Sequence, residues 1–144
     1  MKRMIRTICI LVAIALILPT AAFAEESSTL SSAYFTEIQA FLSKKSNLGF
    51  EIWFDVTATR GMDVLGVFEI RLQRSSNNAN WTTVKTYTPE DYPQLQETNT
   101  GSVTNCVSYA AIWPGYYRAE VTFYAERAGG TGMVSMFTSS LQMP

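Results

Sequence analysis

The chain of 144 residues contains no histidine. That removes Ser-His-Asp and Cys-His nucleophilic catalysis and every zinc site that needs an imidazole ligand. Cysteine is nearly absent as well, with only Cys9 and Cys106. Thiolate metal clusters are excluded, and since Cys9 falls in a segment expected to be removed, no internal disulfide is expected. Cys106 is expected to be a buried thiol, with a dimer through it as the alternative. Charge is sparse too, at 16% of residues. No apolar run is long enough to span a bilayer, which takes about 18 or more residues.

The longest apolar run, Ile8 to Leu18, follows Lys2, Arg3 and Arg6 and precedes Pro19 and the small-residue site Ala22-Phe23-Ala24. This order predicts a secretory signal peptide over residues 1–24 and a mature chain starting at Glu25. No cysteine stands at the cleavage point to carry a lipid, so release from the cell, or retention at its surface by non-covalent contacts alone, is expected, with no integral membrane association after cleavage. The signal holds three of the 11 basic and none of the 12 acidic residues, leaving 8 against 12 and a net charge of −4. Such a balance disfavours nucleic acid and anionic membrane as partners, because both require a clustered basic surface.

Beyond a Ser-rich leader (25–33), residues 34–144 are expected to form one domain. Short runs rich in β-branched and aromatic residues alternate with Gly, Asn and Pro clusters, as in an all-β chain. In FEIWFDVTAT (50–59), Phe50, Ile52, Phe54, Val56 and Ala58 share one phase and are assigned to the core. In VFEIRLQ (67–73), Phe68, Ile70 and Leu72 are placed inward. SSNNAN (75–80) reads as a hairpin turn into WTTVKTY (81–87). A polar loop over 89–100 then leads to a weaker strand at 102–109. GYYRAEVTFYAE (115–126) alternates again, with Tyr117, Val121 and Phe123 inward, and AGGTG (128–132) turns into MVSMFT (133–138). Residues 34–45 are assigned to a first strand, although Tyr34, Ile38, Phe41 and Leu42 also fit a helix face.

Seven strands at this spacing predict a two-sheet sandwich of immunoglobulin-like or fibronectin type III-like form. In such sandwiches a tyrosine near the start of a late strand bonds back to upstream backbone, and Tyr117 is placed to do so.

MDVLGV (62–67) with a strand ending in LQR, NWTTVKTY (80–87) and YRAEVTFYAERAGGTG (117–132) together resemble uncharacterised small secreted β-sandwich proteins of gut-type Gram-positive bacteria. The resemblance spans residues 34–138. It implies a secreted β-rich domain and transfers no catalytic residue. The chain departs from it at NCVSYAAIWPG (105–115), where Trp113-Pro114-Gly115 replaces the expected glycine-marked turn.

The remaining chemistry is limited. A glycosidase needs two carboxylates about 5 Å apart for retention or roughly 6.5–9.5 Å apart for inversion. Glu51 and Asp55 lie about 13 Å apart along one strand. Glu69, Glu120 and Glu126 could meet only across strands, where Arg71 and Arg118 are natural ion-pair partners; Glu69 with Glu120 is the candidate hydrolytic pair. Asp63, Glu90, Asp91 and Glu97 could hold Ca²⁺ only if their loops converge. GGTG joins two strands and lacks the helix N-terminus a phosphate loop uses. No cofactor is expected.

Trp53, Trp81, Tyr87, Tyr116 and Tyr124 fall on outward phases and are the candidate ligand-binding residues, a stacking surface for sugar rings or an anchor for a protein. The leading expectation is therefore a non-enzymatic binding or interaction module outside the cell, its partner a cell-wall or host glycan or a protein. Self-association through the poorly charged strand MVSMFT is the alternative, and a two-carboxylate hydrolase is the third possibility.

Overall fold

The computed structural model describes residues 33–144; the expected signal peptide and the Ser-rich leader up to residue 32 lie outside the described residues. The domain is all-β, one antiparallel sheet of seven strands that is partly curled. The strands are β1 (Phe35–Ser46), β2 (Gly49–Ser75), β3 (Thr82–Tyr87), β4 (Gln96–Ala110), β5 (Gly115–Arg127), β6 (Gly130–Phe137) and β7 (Leu141–Met143).

β2 organises the sheet. It runs for 27 residues, against a usual strand of about 5–6, and absorbs two runs that the sequence suggests are separate strands. Its first part lies between β1 and β4, and its second part between β5 on one side and β4 followed by β3 on the other. Between Thr57 and Met62, five steps along β2 oppose two along β4. The extra residues, including the exposed Thr59, Arg60 and Gly61, bend the strand without ending it. Excess residues on one strand of a ladder produce such a bend.

A second irregularity corrects the expected phase. Val67 pairs with Phe123 and Glu69 with Thr122, so Phe68 is an unpaired extra residue against β5. Phe68, expected inward, instead stands outward and is 50% exposed, while Ile70 and Leu72 beyond the bulge are buried. An inserted residue shifts the two-residue period by one, so Val67 takes the inward place.

The curl brings the inward rows together. Phe54, Val56, Ile70, Leu72, Tyr117, Val121 and Phe123 are all buried. Phe50 sits with its ring centroid 5.2 Å from Tyr117 and 5.5 Å from Tyr109, linking the first part of β2 to β5 and β4. The Tyr117 hydroxyl donates to the Trp113 carbonyl, four residues upstream, at 2.6 Å. Arg74 Nε bonds the Pro114 carbonyl at 3.0 Å, so the Trp113-Pro114-Gly115 turn is tied to the end of β2.

Residues 34–45 form most of β1, a strand and not a helix. The expected 75–80 turn is present, with Asn77 Oδ1 accepting from the Ala79 and Asn80 amides. The 128–132 turn is a two-residue hairpin in which Ala128 and Gly129 both take positive φ, 49° and 78°, as a type I′ turn requires. Two segments differ from expectation. Residues 96–100 extend β4 into the expected loop, anchored by the fully buried Leu95, and a short β7 pairs with Gly115–Tyr117.

Candidate binding face

The sheet presents two outward faces, and the sequence-expected aromatics divide between them and the core. Tyr87 is the correction. It pairs with Ile70 on β2, shares that residue's inward phase and is 1% exposed. A register shift between Leu72 and Gln73 against β3 separates its phase from that expected for an uninterrupted hairpin. Its ring lies 4.9 Å from that of Tyr92 and its hydroxyl donates to the Ser108 carbonyl at 3.2 Å. Burial pushes its hydroxyl far above the ordinary phenol range. It belongs to the fold and cannot meet a ligand.

Trp53 lies on the outward face of β1, the first part of β2 and β4. It stacks on Phe41 with centroids 6.4 Å apart and donates from Nε1 to Glu51 Oε2 at 3.1 Å. Lys45 Nζ lies 2.5 Å from the same carboxylate. This hydrogen-bonded ammonium holds the Glu51 carboxyl below its ordinary range. Cys106, opposite Trp53, is half-buried on this outer face, not enclosed in the core. Burial first, then the Glu51 carboxylate, push its thiol upward. Because the thiolate is the nucleophile, Cys106 is expected to alkylate more slowly in the folded chain than in urea. Glu51→Gln removes the negative neighbour, favours the thiolate and is expected to speed the folded-state reaction. Peptide mass analysis after timed iodoacetamide exposure measures both rates; an unchanged rate in Glu51→Gln contradicts the coupling.

The other outward face, formed by β3, the second part of β2, β5 and β6, carries Trp81, Tyr116 and Tyr124. Register orders its rows. At one end Tyr124 on β5 pairs with Met133 on β6, and its ring lies 6.3 Å from that of Phe68. The Tyr124 hydroxyl donates to Glu126 Oε2 at 2.8 Å, and that bond raises its pKa. The next row is polar, with Thr122 and Ser135 hydroxyls 2.8 Å apart beside Glu69. Then Arg71 bonds Glu69 at 2.9 Å and Glu120 at 3.1 Å.

At the far end the Arg118 guanidinium lies 4.3 Å from the Trp81 ring and 4.4 Å from the Phe137 ring, a cation held against two aromatics. Arg118 Nε also donates to Gln73 Oε1 at 2.8 Å. Tyr116 continues this end, in register with Ser75 and Gln142. Met133 and Phe137, four residues apart on β6, set the two apolar ends roughly 13 Å apart.

Arg71 stands between Glu69 and Glu120, so the candidate hydrolytic pair is a three-residue cross-strand ion cluster with its gap filled. Asp63 Oδ2 accepts from the Ala128 amide at 2.8 Å and caps the hairpin. Among the described residues no three Cys, Asp or Glu side chains converge as metal ligands would. An open concavity of about 400 Å³ is lined by Tyr34, Thr59, Arg60, Met62, Arg127 and Ala128, none of which brings a carboxylate or thiol to it.

The face therefore offers exposed apolar side chains at two ends of a polar strip. Sequence reasoning missed Phe68 because a bulge leaves no compositional mark, and Phe137 and Met133 because they read only as an edge strand. Among protein-family models, curated proteins and solved structures, the chain has no match, so the face is interpreted from its geometry.

Proposed function

We propose that the protein is a non-enzymatic binding or interaction module acting outside the cell, and that its partner, a cell-wall or host glycan or a protein, docks on the outward face of β3, β2, β5 and β6. The carrying observation is the half-exposed Phe68 set beside Tyr124, rings tilted by 42°, at one end of a hydrogen-bonding strip, with Trp81, Arg118 and Phe137 at the other. Aromatic rings left in water gain most when a sugar face or an apolar side chain covers them, and the polar strip between them fixes orientation.

The basic, apolar and small-residue order of residues 1–24 supports secretion, as does the resemblance to small secreted β-sandwich proteins. The packing of Phe50 on Tyr117 across the curl supports assigning the fold to the two-sheet immunoglobulin-like or fibronectin type III-like sandwiches. No cofactor enters this function.

Retention of purified protein on insoluble cell wall, immobilised mucin glycans and surface-protein extracts tests it. Phe68→Ser combined with Tyr124→Ala is expected to weaken retention by at least about tenfold, or ~1.4 kcal/mol. Phe41→Ser, on the opposite face, is expected to leave it unchanged. Equal losses from both variants, or no retention of the unaltered protein at micromolar concentration, would reject this face as the binding surface.

A further inference from the structure

We propose that β6 is a self-pairing edge, through which two copies join antiparallel over Met133–Phe137 with Ser135 of one facing Ser135 of the second copy across a twofold axis. Among the described residues β6 hydrogen-bonds only to β5 and ends the strand path β1-β2-β5-β6. Thr138 N donates to the Ala119 carbonyl at 2.9 Å. Bonding in an antiparallel ladder alternates residue by residue. Met136, Val134 and Gly132 therefore turn their backbone groups toward β5, whereas Phe137, Ser135 and Met133 turn theirs away.

Edge strands in soluble proteins are commonly blocked by charge, proline or a bulge. β6 has none of these. Gly130–Phe137 contains no charged residue and no proline, and its pairing with β5 runs without a register shift. Among the described residues β4 is also bonded on one side only and is uncharged over residues 98–110, but unlike β6 it presents no exposed large apolar side chain. The edges at β1 and β3 are guarded. β1 carries Glu37, Lys44 and Lys45 with irregularities near both ends, and β3 carries Lys85 with a shift in register. An uncharged edge also meets its own copy with no like charges opposed.

The side chains choose the register. Met133 and Phe137 are 42% and 48% exposed on the outward face, with the exposed Ser135 between them. Pairing about Ser135 sets Met133 opposite Phe137 of the second copy at both ends and hydroxyl beside hydroxyl at the centre. It also sets the backbone groups that point away from β5 directly opposite one another, giving three reciprocally bonded pairs. Centring the pairing one residue earlier would oppose Met133 to Ser135 and Thr131 to Phe137, covering the apolar side chains less well. Five residues a side fall below the ~1,200 Å² that a standard stable interface buries, so the dimer is weak and dependent on concentration. The inference rests on the edge and is independent of any ligand.

The test is sedimentation velocity of the purified full chain from about 1 µM to about 1 mM, with amide exchange followed by NMR at both extremes. The expected result is a monomer–dimer transition within this range, accompanied by slowed exchange at Met133, Ser135 and Phe137 only at high concentration. Ser135→Lys places like charges opposite one another at the axis and is expected to raise the transition midpoint by at least about tenfold, with an unchanged melting temperature in the monomeric range. Thr104→Lys, exposed on β4, is expected to leave the midpoint unchanged. A monomer at every concentration overturns the proposal. So does a dimer indifferent to Ser135→Lys, which would place the contact elsewhere. Protection of the three amides that is independent of concentration also overturns it, because the edge would then be covered by its own chain.

Discussion

Gly66→Ala is expected to destabilise the domain by about 3–5 kcal/mol, combining backbone strain with steric overlap. Gly66 takes φ +147°, and a Cβ there would lie 2.1 Å from the Leu95 carbonyl oxygen and 2.8 Å from Gln96 Cα. Both obstacles are backbone, so no side-chain rotation relieves them. The chain would have to withdraw residues 95–96 from β2, losing the Gly66–Gln96 pairing and displacing the fully buried Leu95. Total stabilities of small domains run about 5–15 kcal/mol, and urea slopes run about 1–3 kcal/mol per molar. The urea midpoint is therefore expected to fall by more than about 1 M. Gly61→Ala is the control, since a Cβ at Gly61 meets nothing within 4 Å. Similar midpoints for the two variants would contradict the close passage of 95–96 against β2.

Phe50→Ala is expected to cost about 3–5 kcal/mol. Phe50 is 1% exposed and its ring meets both Tyr109 and Tyr117, so truncation removes contacts to β4 and β5 together and leaves a cavity at the centre of the curl. Phe41→Ala, on a half-exposed outward ring, is expected to cost less than about 1 kcal/mol, as surface changes away from special contacts do. Urea denaturation of both variants measures the difference. Equal costs would mean that the inward rows do not pack across the curl.

These core positions were legible in the sequence because burial on one side of a sheet imposes a two-residue period. FEIWFDVTAT and YRAEVTFYA alternate without interruption, and every residue assigned inward in those two stretches is buried. Tyr117 was legible for a different reason: a tyrosine near the start of a late strand commonly bonds back to upstream backbone, here the Trp113 carbonyl. What escaped the sequence is what breaks the period. The bulge at Phe68 inserts a residue of ordinary strand composition, so the expected phase sent that ring inward. Thr59-Arg60-Gly61 has the composition of a loop yet remains within one strand, because β1 and β4 hold the chain before it and β5 holds it after. Two expected strands thereby become one, and their fusion makes the sheet continuous. The short β7 compensates in number but was hidden, since three residues are too few to display alternation.

The candidate face was legible only in part, for the same reason. Trp81, Tyr116 and Tyr124 follow undisturbed phases and gather on one side, Trp53 follows its phase to the other side, and Tyr87 is carried inward by a shift in register. Phe68 and Phe137, which expose the most aromatic surface on the candidate face, were assigned by sequence to core and edge.

The passage of β2 through both parts of the sheet also shapes how the domain can change. Among the described residues β1, β3, β4, β6 and β7 each attach along one side only, so any of them can loosen, lengthen or be replaced while the remaining ladder stays intact. β2 has no such freedom, because it serves as the shared template for four neighbours. Variation in this architecture is thus channelled to the rim, where new loops and altered edges can be tried, around a spine that must be inherited whole.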